Sequence, residues 1–271
     1  MSTTPQPDGP LERPPGPRGL ALAQRWRRFR AGVPSALYLF GWAVLILLVG
    51  TLLGWLLAKV ASHDAFGRAD ARADRVLAAD RTARWNTITH DITDLSETPT
   101  ITIMAVVTVI GAALAWRRWR EPMLVAVAVT GEVLIFLGIT ALVDRARPPV
   151  SHLDKAPPTS SFPSGHTAAA ICMYGALALL SFERSRSLLL RGLLTLLAVA
   201  VPMAVALARV YRGMHYPTDV LGGAALGASW LAVTIQGIRL GVFHDQLRTG
   251  AGRLGRLGSR SRVHSQKGSR S

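Results

Sequence analysis

The chain has 271 residues, 49% hydrophobic and 17% charged, with 31 Lys and Arg against 16 Asp and Glu for a formal net charge of +15. In a soluble protein that charge would suggest nucleic acid, but the apolar residues are gathered into long uncharged runs, so the basic residues read as loops that orient a membrane protein, with no nucleic-acid partner. The single cysteine, Cys172, lies inside an apolar run, which excludes an intramolecular disulfide and any Cys-based metal site and leaves a small buried thiol.

Residues 1–34 are Pro-rich and basic and read as a disordered tail. Ser35 to Ala58 then runs 24 residues without a charge, behind Arg25, Arg27, Arg28 and Arg30. A signal peptide has the same charge order but a shorter apolar core, so this stretch predicts an uncleaved first helix. Residues 59–97 mix both signs, as expected of an outer loop with some amphipathic helix.

Five more apolar runs follow, giving predicted spans at about 35–58, 98–116, 122–143, 165–182, 190–209 and 219–240. The third carries one charge, Glu132, expected to be protonated or paired with a polar neighbour such as Thr130. The spans show almost no polar face at helical spacing, which separates them from a soluble helical core. Trp42, Trp55, Trp116 and Trp119 read as interface anchors or packing residues. The last stretch, 244–271, is rich in Arg, Gly and Ser and reads as a second disordered basic tail. The fold class expected is all-α, a six-helix transmembrane bundle over 35–243.

Loop charge predicts the topology. With both termini inside, the inner segments hold 20 Lys and Arg against five acids, and the outer loops 11 against ten. That bias sets both termini on the cytoplasmic side of a multi-pass cell-membrane protein. The outer loops then place two polar clusters on the extracytoplasmic face. One runs from Asp144 through Arg145 and Arg147-Pro148 to Pro163-Ser164-Gly165-His166; the other runs from Arg209 to His215 and Asp219.

Phosphate chemistry has use for such a set. Guanidinium groups fork onto phosphoryl oxygens and stay charged. Ser164 and Gly165, at a helix start, offer unpaired N–H groups to an anion. Histidine serves as nucleophile or general acid near neutral pH. Asp219 stands four residues after His215, within reach of the imidazole. His63, His90, His152, His244 and His264 fit no pattern and read as surface residues.

These segments resemble the three signature motifs of the type 2 phosphatidic acid phosphatase family, related to vanadium haloperoxidases. Pro163-Ser164-Gly165-His166 completes the second motif, Arg209, His215 and Asp219 match the third at both spacings, and Arg147-Pro148 matches the end of the first. The motif-one Lys falls on Thr140, and Ala208 replaces the Ser before Arg209. The resemblance implies a nucleophilic His215 oriented by Asp219, His166 as proton donor, and Arg147, Arg209, Ser164 and Gly165 on the phosphate, with Arg145 as a partial substitute for the Lys. It implies no cofactor and no metal. The substrate expected is a lipid phosphate or diphosphate, of isoprenoid or phosphatidate type, met among the surrounding membrane lipids. A phosphotransferase using the same site, and a non-catalytic lipid-binding or transport protein, are the alternatives.

Overall fold

The computed structural model describes residues 35–59 and 65–241. The expected disordered tails, together with His63, His244 and His264, lie outside the described residues. The described residues fall into two units, one compact over 39–235 and one made of the ends 35–38 and 236–241.

The described residues form helices α1 (Ser35–Lys59), α2 (Ala65–Ala79), α3 (Ala83–Asp94), α4 (Thr98–Trp116), α5 (Arg120–Leu142), α6 (Gly165–Arg184), α7 (Leu188–Tyr211) and α8 (Pro217–Gly241). Among the described residues there is no strand. Six helical stretches are long and apolar enough to cross a membrane, with α3 and α4 sharing the stretch Ala83–Trp116. The all-α class and the six candidate spans therefore stand.

α6 is the centre of the bundle. Its inward face is built of small residues, Ala168, Ala170, Cys172 and Ala176, all fully buried. Small side chains let neighbouring backbones approach closely where lipid supplies no hydrophobic drive between helices. Gly223 of α8 lies so near the Ser164 carbonyl oxygen that a Cβ there would overlap it. Gly131 of α5 seats the indole of Trp230, whose Nε1–H donates to the Val127 carbonyl at 3.1 Å. The outward faces carry Phe40, Leu52, Val107, Leu114, Leu134, Leu189 and Leu207 exposed. In a membrane these are the lipid contacts, and the helices satisfy their own backbone.

Trp42, Trp55 and Trp119 are exposed, as anchors should be, and Trp116 takes the Arg184 guanidinium over its ring at 5.5 Å. The expected Glu132–Thr130 pair does not form. Thr130 faces outward, while both Glu132 carboxyl oxygens are buried with no hydrogen-bond partner. Residues 130 and 132 point to different sides of a helix that turns about 100° per residue, so only one of them can face the core.

α2 and α3, from the mixed-charge segment, pack against α7 beside the ends of the spans. Arg81, between them, donates through Nε and Nη2 to the Tyr211 carbonyl at 2.9 and 2.7 Å. The Tyr211 hydroxyl accepts from the Thr82 N–H at 3.1 Å and lies 3.0 Å from the Asn86 side-chain oxygen. Tyr174 of α6 donates to the Leu95 carbonyl at 3.0 Å, in the turn joining α3 to α4. Four elements thus converge on one end of the bundle.

Candidate active site

The polar residues singled out by spacing meet at that end. Alternation of chain direction brings the C-terminal ends of α5 and α7 beside the N-terminal ends of α6 and α8. The turn after α7 needs Gly213 at φ 73°, a left-handed conformation that side chains resist. It delivers His215 to the bundle end and lets α8 begin at Pro217, which has no N–H to leave unpaired.

His215 is buried. Its Nδ1 lies 2.7 Å from the Ser161 carbonyl oxygen and 3.8 Å from Asp219 Oδ2. A carbonyl only accepts, so Nδ1 carries the proton and donates to Ser161. Nε2 is left with the free lone pair. Burial is the largest influence on this imidazole; the Asp219 carboxylate opposes it, and the Arg209 and Arg147 guanidiniums add to it. Together they hold its pKa down at about 4, so the ring is neutral across the physiological range.

Asp219 is fully buried on the first turn of α8. Its Oδ2 accepts the Tyr216 N–H at 2.9 Å, and its Oδ1 accepts from Arg145 Nη1. Its own carbonyl accepts the Ser164 N–H at 2.9 Å, which ties the second and third motifs together through the backbone. Ser164 is fully buried, with its hydroxyl 3.0 Å from that of Thr167. The Ser164 amide and hydroxyl are thus both engaged within the protein, while Gly165 opens α6 with a Phe136 ring edge against its Cα.

His166, on the first turn of α6 and within electrostatic reach of Arg209, has Nε2 3.1 Å from Glu97 Oε1. Glu97 comes from the turn before α4, a partner that motif spacing did not reveal. Arg147 donates through Nη1 to the Met214 carbonyl at 2.7 Å, and Arg209 donates through Nη1 to Asp154 Oδ2 at 3.0 Å. In both, Nε is buried with no acceptor among the described residues. A buried guanidinium N–H without an acceptor is costly, and an oxyanion would satisfy it.

Asp154 also accepts from Arg212 Nε at 2.8 Å, and Arg212 donates further to the Asn86 carbonyl at 2.9 Å and the Thr89 hydroxyl at 3.1 Å. Burial works against the Asp154 carboxylate, but Arg212 and Arg209 outweigh it and hold its carboxyl below the usual range. Asp154 escaped the sequence reading because its pairing with Arg212 spans 58 residues of chain.

The two departures from the resemblance are also placed. Thr140 is buried, and its hydroxyl donates back within α5 to the Phe136 and Leu137 carbonyls, both at 3.1 Å. Ala208 is buried one residue before Arg209. Arg145 lies between two carboxylates, Asp70 at 2.8 Å from Nη2 and Asp219 at Nη1, and stacks 4.4 Å from the Tyr216 ring centroid. His90 and His152 are exposed, as expected. Among the described residues no group of three or more His, Cys, Asp or Glu could hold a metal ion.

Three comparisons extend this picture. Residues 121–240 match the family model of the PAP2 superfamily. Over 185 residues the chain is 27% identical to phosphatidylglycerophosphatase B of Bacillus subtilis (strain 168), covering 66% of this chain and 88% of that relative. The fold also matches the crystal structure of a transmembrane PAP2 type phosphatidylglycerolphosphate phosphatase from Bacillus subtilis, with a TM-score of 0.60 at 26% identity, over 69% of this chain and 92% of that one. The resemblance expected from the motifs is borne out over residues 121–240. Segment 65–97 lies outside the part that the family model matches.

Proposed function

Starting from a chain whose residues 121–240 match the PAP2 superfamily, we propose that the protein hydrolyses a lipid phosphate or lipid diphosphate through a phospho-histidine on His215. The observation that carries this reading is the surroundings of His215. Nδ1–H is given to Ser161, which leaves Nε2 as the nucleophilic atom, and Arg147 and Arg209 close by each keep a buried Nε–H for an oxyanion.

In the first step Nε2 attacks phosphorus in line, the N–P bond forms and the P–O bond to the lipid breaks. The protonated His166, held by Glu97, gives its proton to the leaving oxygen. The Asp219 carboxylate favours the positive charge that gathers on the His215 ring. In the second step water attacks phosphorus, neutral His166 takes its proton, the N–P bond breaks and inorganic phosphate departs. Atoms and charge balance with no divalent cation in either step, so the activity is metal-independent in this reading.

The charge bias of the loops supports an extracytoplasmic site with both termini in the cytoplasm. The names of the relatives add phosphatidylglycerophosphate to the isoprenoid diphosphates and phosphatidate as substrates to test. The experiment is phosphate release from these lipids by the purified protein in detergent, with and without a chelator, beside His215→Ala. Release from at least one lipid, untouched by EDTA and lost in the variant, is expected. Equal release by both proteins would sink the His215 mechanism, and loss with EDTA alone would sink its metal independence.

A further inference from the structure

Arg145 is the one site guanidinium whose charge is met by two carboxylates. Nη2 donates to Asp70 Oδ2 at 2.8 Å, and Nη1 bonds both Asp219 Oδ1 and the Thr218 hydroxyl, the latter at 2.7 Å. Asp70 reaches on to α8 itself, accepting the Thr218 N–H at 3.2 Å and the Thr218 hydroxyl. All three charged side chains are buried, the guanidinium at 7% exposure and the carboxylates at 3% and 0%. A buried charge pair of this kind is sensitive to each member, because removing one leaves another uncompensated.

We infer that Asp70 is a positioning residue for the reaction, fixing and half-neutralising Arg145 so that Arg145 can hold the Asp219 carboxylate beside His215. Asp70 belongs to α2, outside residues 121–240, so a segment beyond the family match reaches the third motif through Arg145 and Thr218. The physical content is a charge count. Asp219 is hydrogen-bonded to one guanidinium, that of Arg145, with Arg147 acting on it at longer range and Asp74 of α2 facing Asp70, Arg145 and Asp219. With Asp70 present the Arg145 charge is shared between two hydrogen-bonded carboxylates. Without Asp70, Arg145 draws wholly on Asp219, and less of the Asp219 charge is left to favour positive charge on His215. The geometry changes in the same direction, since Thr218 and the start of α8 lose their tie to α2.

This inference rests on the reading of His215 as nucleophile, and its test is built to fail separately from that reading. The purified protein and Asp70→Asn are compared in detergent by steady-state phosphate release across pH. In parallel, ¹⁵N-histidine-labelled samples follow the titration of the His215 ring, its signal being the one lost in His215→Gln. Asp70→Asn should lower kcat by about ten-fold, the effect of a barrier raised by about one factor of ten, with KM within about two-fold. The His215 titration should move to lower pH. Asp70→Glu should restore part of both.

A double-mutant cycle covers the case of poor folding. If the residues act as one relay, Arg145→Gln with Asp70→Asn should be no slower than Arg145→Gln alone. Unchanged kcat and an unmoved His215 titration in Asp70→Asn, or losses that simply add in the double variant, would overturn the inference. If the unaltered protein released no phosphate from any lipid, the functional reading would fail. The titration shift would still decide whether Asp70 acts on His215 through Arg145.

Discussion

His215 Nδ1 lies 2.7 Å from the Ser161 carbonyl oxygen, while the nearer Asp219 oxygen stands 3.8 Å away. The ring is therefore set by a backbone acceptor, with the carboxylate acting across a gap as a charge. That division fixes the tautomer and separates it from the electrostatics, and the two can be disturbed independently.

The acid limb of kcat/KM is the first consequence. His215 must be neutral to attack, and its pKa is held at about 4, against an ordinary value of 6.5. Activity should persist down to about pH 5 and fall only near pH 4. The same depression has a stability sign: the unfolded chain binds a proton here before the folded one does, so this contribution is whole above pH 6.5 and is lost as pH falls through 4. A kcat/KM profile that breaks near 6.5 would contradict the burial of His215 as described.

Glu97 faces His166 at 3.1 Å and favours its protonated form. Glu97→Gln keeps the shape and removes the charge. It should lower kcat by about ten-fold, short of the roughly 10²–10⁴ that follows from losing a general acid altogether. KM should stay within about two-fold, and steady-state kinetics of the two proteins decide this: an unchanged kcat would show that the Glu97–His166 contact at 3.1 Å is not used in the reaction.

Asp74 on α2 is the opposite case from Asp219. Both its oxygens are buried without a partner, and burial, with Asp70 and Asp219 adding to it, pushes its carboxyl up to about 8. The folded protein binds this proton between the ordinary 3.8 and about 8 while the unfolded chain does not, so the group lowers stability progressively as pH rises through that window. Asp74→Asn should unfold at a higher temperature than the unaltered protein, with a gap that widens from pH 5 to pH 8. A gap constant across pH would show that Asp74 is ionised in the folded state.

Gly213 holds φ 73°, and a Cβ there would lie 2.7 Å from the Val150 side chain. Gly213→Ala should cost at least about 1–2 kcal/mol from the left-handed backbone alone. A thermal melt in detergent should show a lower Tm, with activity per folded molecule reduced because His215 follows two residues later. An unchanged Tm would mean that the turn relaxes without cost.

The spans were legible because each is an uncharged run at bilayer length, and the motif residues because Arg147, His166, Arg209, His215 and Asp219 keep short, fixed spacings. What the sequence hid was long-range pairing. Asp70 meets Arg145 across 75 residues, and Glu97 meets His166 across 69. In a segment of mixed charge such carboxylates look like any solvated face. The one local hint was the spacing of Asp70 and Asp74, four apart and so on one side of a helix. Thr130 misled for a related reason, since a neighbour in sequence is not a neighbour in a helix.

Arg81 closes the last turn of α7 from 130 residues away, its two N–H donors lying on the Tyr211 carbonyl. A helix end capped by a remote side chain frays when that side chain leaves. Local unfolding of α2 and α3 would then loosen Arg209 and Arg212 while the spans stayed intact. Amide hydrogen exchange at the end of α7 should keep time with exchange in α2 and α3, so that release of this segment is seen as loss of protection at a helix end 130 residues away.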